Sequence, residues 1–262
     1  MRILVKLGGT LLDAPESRQR LAQEIAAAAK QGHSVVVVHG GGKQMTRYLT
    51  EKGIESRFVN GLRVTTPEVL DAVVKIVAGS VNQELVAAFI RAGAAAVGLS
   101  GVDALLVEAE AMSPDLGFVG RTVASDARVL EILTSQGYLP VVACIAADRQ
   151  GQIYNVNADQ LAVACAAGFR ADKLLFLTDV EGVRGAANET VAMLTPEECR
   201  ELISAGIATG GMQAKLNAAT AALEHGVREV VIAPGSLAGV VQKLMAGEAV
   251  GTRLIAAAGA VR

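Results

Sequence analysis

The chain has no tryptophan, and aromatic residues make up only 3% of its 262 positions. A core must therefore be built from valine, leucine, isoleucine and alanine, which fits a hydrophobic fraction of 52%. Cysteine is equally sparse. Cys144, Cys165 and Cys199 are widely spaced and include no Cys-x-x-Cys pair, and three thiols cannot all pair within one chain. A reducing compartment, the cytoplasm by default, is expected. No basic block is present and the formal net charge is −2, so the electrostatic stripe of a nucleic-acid partner is missing. The apolar runs are strand-sized, or alanine-rich and interrupted, and read as too short to span a bilayer. No targeting segment is expected ahead of a first strand that begins almost at Met1.

Glycine, in contrast, is frequent at 28 residues, and it falls between short apolar segments. "RILVKL" (2–7) and "SVVVVH" (34–39) read as strands whose near-continuous apolarity implies burial on both faces, as in parallel sheets. Between them Leu21, Ile25 and Ala28 recur at helical spacing within 15–31, and Gly32 supplies a stop. Further helices are predicted near 43–52, 67–92, 126–136, 158–168 and 213–225, with strands at "AAVGLS", "LPVVACI", "KLLFLT" and "EVVIA". The less regular segment 103–125 predicts a hairpin from "ALLVEAEA" and "GFVGRTV". The alternation predicts an α/β protein with an open, mainly parallel sheet and helices on both faces. One domain or two lobes sharing a sheet would fit the length; two lobes would divide near residue 172.

Open α/β sheets bind ligands at the carboxyl ends of their strands, and polar or glycine-rich clusters fall there. In "VKLGG", Lys6 ends a buried strand ahead of Gly8 and Gly9. An ammonium there needs an anion or a route to solvent along the sheet edge. In "HGGGK", Gly40, Gly41 and Gly42 precede a helix, which suits convergence of peptide N–H groups on an anion, or a tight corner. His39 reads as structural. "NGLRVT" (60–65) sets Arg63 on a loop, where it could grip a carboxylate or simply face water. "YNVNADQ" sets Asn155, Asn157 and Asp159 ahead of a helix. Capping explains one of the three, and alternation would place all three on one side if the chain stays extended. An acidic group there could hold two lysines. "LTDVEGV" ends a strand at Asp179, and "IATGGMQAKLNAA" places Thr209, Gly210 and Gly211 ahead of Lys215 on a helix; a surface role is the ordinary expectation for Lys215.

Taken in order, "KLGG", "VHGGGK", "NGLRVT", "NVNADQ", "LTDVEG" and "GGMQAKLNAA" resemble the amino-acid kinase family over nearly the whole chain, from Lys6 to "GTRLIAA" at 251–257. "GLRVT" and "NVNADQ" point within it to the branch that phosphorylates N-acetyl-L-glutamate in arginine biosynthesis. The resemblance implies a three-layer αβα sandwich. Residues 1–172 would form an N-terminal lobe for N-acetyl-L-glutamate binding and dimerisation, and 173–262 a C-terminal lobe for MgATP. It implies that Lys6 and Lys215 stabilise the transferring phosphoryl group, with Asp159 organising both. Gly8 and Gly9 would donate N–H groups to phosphate, together with the "HGGG" turn. Gly41, Gly42, Arg63 and Asn155 would hold the substrate, with Arg63 on its α-carboxylate. Asp179, Val180, Glu181, Gly182 and Val183, with Ile207, Ala208 and Thr209, would line the nucleotide. No protein residue is assigned to the Mg²⁺.

The chemistry agrees with this resemblance. A side-chain carboxylate, with an intrinsic pKa near ~4.3, is already ionised at neutral pH and needs no general base. The obstacle is bringing two anions together: at about 4 Å and an effective dielectric near ~20, each unit-charge pair repels by roughly 4 kcal/mol. Two lysines, Mg²⁺ and a cradle of N–H donors oppose that repulsion. In the family, arginine-inhibited members carry an extra N-terminal helix that links dimers into hexamers. With a strand starting at residue 2, a homodimer without strong arginine feedback is expected, joined through the long helix after "NGLRVT". The competing readings are a kinase of the same fold acting on another acceptor (a carrier-linked amino acid, glutamate, aspartate, carbamate or UMP), a non-catalytic nucleotide-binding protein, and a nicotinamide-dependent oxidoreductase. The last needs a Gly-x-Gly-x-x-Gly turn that "KLGGTLL" does not supply.

Overall fold

The computed structural model of the chain describes residues 1–256. The last six residues of the lobe assigned to 173–262, and the final alanine of "GTRLIAA", lie outside the described residues.

The first half alternates as its apolar spacing dictates: β1 (Arg2–Leu7), α1 (Pro15–Lys30), β2 (Ser34–His39) and α2 (Gly42–Glu51). A two-stranded hairpin, β3 (Phe58–Val59) and β4 (Leu62–Arg63), leads into α3, one continuous helix over Pro67–Arg91. Strand β5 (Ala95–Ser100) follows, then β6 (Val107–Ala111), β7 (Val119–Ser125), α4 (Arg128–Ser135) and β8 (Tyr138–Ala143). Short strands β9 (Ile145–Ala147) and β10 (Ile153–Val156) precede α5 (Ala158–Gly168). The remainder is β11 (Lys173–Thr178), β12 (Met193–Leu194), α6 (Pro196–Ser204), α7 (Gly210–Glu224), β13 (Glu229–Pro234), α8 (Val240–Met245) and β14 (Thr252–Ile255).

The central sheet runs β12-β14-β13-β11-β1-β2-β8-β5. Six neighbouring strands are parallel, and the β14–β12 edge runs against them. Strands before residue 172 fill one half of the sheet and strands after it the other, meeting at the β1–β11 pair. Alternate residues of the buried strands feed two cores. Leu4, Val36, Val38 and Phe176 face α2, α5, α6 and α7, while Ile3, Val5, Val37 and Leu175 face α1 and α8. The sandwich is therefore three-layered. The 103–125 segment is the expected antiparallel hairpin β6–β7, and with β9 and β10 it closes a small four-stranded barrel. "LPVVACI" is two strands rather than one, because the chain breaks at Cys144 to leave the main sheet for the barrel.

Helix α3 departs from expectation twice. It is long and apolar enough, by length and composition, to cross a bilayer, which the sequence runs did not suggest. It also winds as a π-helix over Val74–Val81. Val69, Ala72, Val73 and Val77 lie in one core, whereas Leu85, Ala88 and Phe89 lie in the other.

Candidate active site

Strands β11, β1 and β2 end side by side, so the turns at Asp179, Gly8 and Gly40 open on the same edge of the sheet. A cavity of about 570 Å³ lies there. It brings together Lys6, Gly8, Gly9, Gly41 and Gly42 with Arg63 and Asn155 from the N-terminal half, and Asp179 and Lys215 from the C-terminal half. A larger cavity of about 1140 Å³ adjoins it between α5 and α7, sharing Asn157 and Lys215. The smaller one collects the glycines, the arginine and both lysines, and its chemistry decides the matter.

Asp159 stands between the lysines. Its Oδ1 is 2.6 Å from Lys6 Nζ, its Oδ2 is 3.5 Å from Lys215 Nζ, and it is 6% exposed. Burial works to raise the Asp159 carboxyl, but the Lys6 and Lys215 ammonium groups outweigh it and hold it below the ordinary carboxylate range. Oδ1 receives no well-directed hydrogen bond despite the short approach of Lys6, so this contact is an ion pair rather than an aligned donor–acceptor pair. Lys6 is only 7% exposed and meets this one carboxylate, shared with a second cation. The group as a whole carries excess positive charge at the cavity.

The local sequence explains the placement of Asp159. Asn157 caps α5, its Oδ1 accepting from the N–H groups of Asp159 (2.8 Å) and Gln160 (3.2 Å). The chain is therefore extended only to the cap. Asn155 lies in β10, Asn157 caps, and Asp159 is already helical, so the three do not share one strand face. Asn155 Nδ2 donates to Thr65 Oγ1 at 3.0 Å, and Thr65 Oγ1 donates to the Arg63 carbonyl at 2.9 Å.

Arg63 is buried, not a surface residue. Its guanidinium donates to Thr46 Oγ1 at 2.7 Å, to the Gly42 carbonyl at 3.3 Å and to Ser56 Oγ, and it stacks 4.6 Å from the Phe58 ring. Burial pulls its pKa down. Among the described residues no carboxylate pairs with it, which leaves a desolvated cation facing the cavity. Thr46, Ser56 and Thr65, which fix it, were not singled out in the sequence. Their signal is tertiary, because Thr46 lies on α2 whereas Ser56 and Thr65 lie in the segments before and after the β3–β4 hairpin.

The glycines divide by role. The Gly8 N–H donates to the Leu177 carbonyl at 2.9 Å, so Gly8 ties β1 to β11 through that group. Among the described residues, no acceptor takes the N–H groups of Gly9, Gly41 or Gly42. A Cβ on Gly41 would meet Val77 Cγ2 at 3.1 Å, whereas one on Gly42 meets nothing within 4 Å. His39 is fully buried and burial holds its pKa down to about 4, so it is neutral and structural. The Cys144 thiol lines the cavity, but burial pushes it up to about 11, and it is no nucleophile at neutral pH.

On the C-terminal side, Val180, Glu181, Ile207 and Thr209 are exposed. Burial works to raise Asp179, but hydrogen bonds from its own backbone, Thr178 and Thr10 outweigh it, so it lies below the ordinary range. Val183 is completely buried; its N–H donates to Thr252 Oγ1 and its carbonyl accepts from Val191. Ala208 is likewise buried, and a Cβ on Gly182 would strike Thr190 and Thr252. Helix α7 begins at Gly210 with no side-chain cap from Thr209; the Met212 and Gln213 N–H groups donate to the Thr209 carbonyl, which leaves those of Gly210 and Gly211 for an anion.

The pattern that defines the amino acid kinase family matches residues 1–234. The chain belongs to the amino acid kinase family. It is 63% identical over 257 residues to an acetylglutamate kinase of Solibacter usitatus (strain Ellin6076), covering 98% of this chain and all of that one. It is 47% identical over 246 residues to an acetylglutamate kinase of Acidobacterium capsulatum, covering 93% of this chain and 95% of that one. Among solved structures, the N-acetylglutamate synthase of Neisseria gonorrhoeae complexed with coenzyme A and N-acetyl-glutamate superposes with a TM-score of 0.87 at 24% identity. That match covers 98% of this chain and 60% of the synthase, and it speaks for the fold alone. Every residue of the Lys6–Asp159–Lys215 cluster lies inside the segment matched to the amino acid kinase family.

Proposed function

We propose that the protein transfers the γ-phosphoryl group of ATP to the side-chain carboxylate of N-acetyl-L-glutamate, giving N-acetyl-L-glutamyl 5-phosphate in arginine biosynthesis. The observation that carries this reading is the opposition, across one cavity, of the carboxylate-bridged lysines and the unpaired Arg63 guanidinium. Arg63 takes the substrate's α-carboxylate, with Gly41, Gly42 and Asn155 around the rest of the molecule. The attacking side-chain carboxylate then lies between the glycine turn and Lys6. Lys6 and Lys215 bear on the phosphoryl oxygens as charge develops, and Asp159 keeps the two ammonium groups from driving each other apart.

A carboxylate acceptor suits the cavity, because it needs no base. No histidine lines the cavity, and Asp179, held below the ordinary carboxylate range, is a poor proton acceptor. Mg²⁺ on the phosphates supplies charge neutralisation. No group of three or more His, Cys, Asp or Glu side chains gathers to hold an ion among the described residues. Phosphate oxygens and water would provide most of its coordination, as is usual for Mg²⁺ on nucleotide phosphates, with the Asp179 carboxylate at the cavity to assist. The exposed ledge of Val180, Glu181, Ile207 and Thr209 takes the nucleotide, and residues 173–262 form its lobe, with 1–172 the acceptor lobe. A cytoplasmic homodimer completes the reading. Edge strand β5, the start of its neighbour β8 with Tyr138 45% exposed, and α3 with Ile90 57% exposed are the surface that a second copy would cover.

A hydroxylamine trap tests the assignment. With ATP, Mg²⁺ and a panel of acceptors, hydroxamate should form from N-acetyl-L-glutamate and little from glutamate or aspartate. No signal from N-acetyl-L-glutamate in a folded, ATP-binding sample would overturn it.

A further inference from the structure

His39 stands in the chain immediately before the three glycines, yet it faces away from the reaction and lines no part of the 570 Å³ cavity. Its contacts give it a task. Nδ1 lies 2.9 Å from the Gly40 carbonyl oxygen, which can only accept, so Nδ1 carries the proton. Nε2 is then the acceptor, and Asn82 Nδ2 donates to it at 3.0 Å. The orientation of the Asn82 amide is fixed independently. Its two Nδ2 hydrogens serve three acceptors, His39 Nε2, the Val141 carbonyl at 2.9 Å and the Leu99 carbonyl at 3.3 Å, so that one hydrogen is shared, while Oδ1 occupies the space a Cβ on Gly98 would need. The hydrogen-bond directions are therefore set from Asn82 to His39 to Gly40.

A trans peptide carries its C=O and the following N–H in opposite directions. No cis bond interrupts the chain among the described residues. Anchoring the Gly40 carbonyl against His39 consequently turns the N–H of Gly41 away from the ring, and that N–H has no acceptor among the described residues. The same helix that carries Asn82 presses on Gly41 five residues earlier, through Val77 at 3.1 Å from the site of a Cβ.

We propose that His39 and Asn82 are positioning residues for phosphoryl transfer, fixing the Gly40–Gly41 peptide so that the Gly41 N–H is aimed at the transferring group before substrate arrives. This rests on the kinase reading above. Neither residue touches substrate. A preformed donor is worth more than one that must reorient in the transition state, and loss of one such donor costs about 100-fold or more in kcat where measured. Partial misalignment should cost about 10–100-fold.

The test compares His39→Asn, His39→Phe and Asn82→Leu. Asparagine places an amide N–H near the position of Nδ1, whereas phenylalanine keeps the volume and removes the donor. His39→Phe should lower kcat about 10–100-fold, with the KM values for ATP and acceptor changed less than about threefold, and His39→Asn should restore most of that loss. Asn82→Leu should fall between them. Equal kcat in His39→Phe and wild type, or kcat losses in all three that merely follow their melting temperatures, would overturn the proposal. A second readout does not depend on the reaction. In ¹⁵N-labelled full-length protein, the Gly41 amide resonance should shift on adding AMP-PNP with Mg²⁺ to wild type and His39→Asn, and not to His39→Phe. An identical Gly41 shift in all three would overturn the relay. If wild type gives that shift but no hydroxamate, the relay stands and only the acceptor assignment fails.

Discussion

Lys6 Nζ and Asp159 Oδ1 stand 2.6 Å apart with both side chains 9% exposed, and Lys215 approaches the other oxygen of the same carboxylate. One buried anion thus holds two cations, from β1 and α7, that the sheet alone would not bring together. Removing the anion leaves two ammonium groups uncompensated in a poorly solvated place. Asp159→Asn should lower the unfolding free energy by about 3–5 kcal/mol, measurable by urea denaturation. It should also lower kcat by at least about 100-fold, assayed at a temperature where the variant remains folded.

Arg63 owes its direction to Thr46, Ser56 and Phe58. Arg63→Ala should raise the KM for N-acetyl-L-glutamate by about 10–100-fold with a smaller effect on kcat, as expected for an interaction made equally in ground and transition states. Arg63→Lys should rescue little, since an ammonium cannot keep the two-pronged fork to Thr46 and Ser56 while also meeting a carboxylate. Steady-state kinetics with the acceptor varied decides this.

Gly41 and Gly42 should respond differently to alanine. Gly41→Ala pushes a methyl against Val77, and overpacking of this kind costs about 1–3 kcal/mol. Val77→Ala in the same chain should recover part of the loss, so the double mutant is more stable than the two single effects summed. Gly42→Ala meets open space at the first turn of α2 and should leave stability unchanged or slightly raised. It should still weaken acceptor binding, because it fills cavity space. Thermal melts alongside KM measurements separate the corner from the cradle.

His39 sets a pH dependence with a definite sign. Its folded pKa, about 4, lies below its ordinary value because burial disfavours the imidazolium. The unfolded chain therefore takes up the proton first as pH falls, and stability is lost between about pH 6.5 and 4. From pH 7 to pH 5 the loss from this residue should be about 2 kcal/mol. His39→Asn should flatten that part of the urea-midpoint profile. Asp159, held below the ordinary carboxylate range, adds its own loss only in the more acidic range, as pH falls through the carboxylate values.

Much of this architecture was legible in the sequence. "RILVKL" and "SVVVVH" are buried on both faces because their neighbours are parallel strands, and helix 158–168 begins at the cap that Asn157 announces. The β6–β7 hairpin followed from its irregular, half-polar pattern. What escaped was set by distant contacts. Strand β12 has two residues and exists only by pairing with β14. The break at Cys144 depends on the barrel that takes up the chain after it. Helix α6 was missed although its signal was present, with Thr195 and Glu198 forming a reciprocal cap around Pro196. At the site, the six motifs located Lys6, Asp159, Arg63 and Lys215, but not the groups that hold them. The burial of Val183 was not legible, because apolar residues beside a glycine turn look alike in sequence whether they are exposed or in the core, and here Thr252 draws the chain inward.

The central claim is that Lys6 and Lys215, clamped by one carboxylate, stabilise phosphoryl transfer. The most direct measurement is kcat of Lys215→Ala by hydroxamate formation at saturating ATP and N-acetyl-L-glutamate. A fall of at least about 100-fold, with the acceptor KM within about threefold of wild type, is predicted. An unchanged kcat would contradict the account.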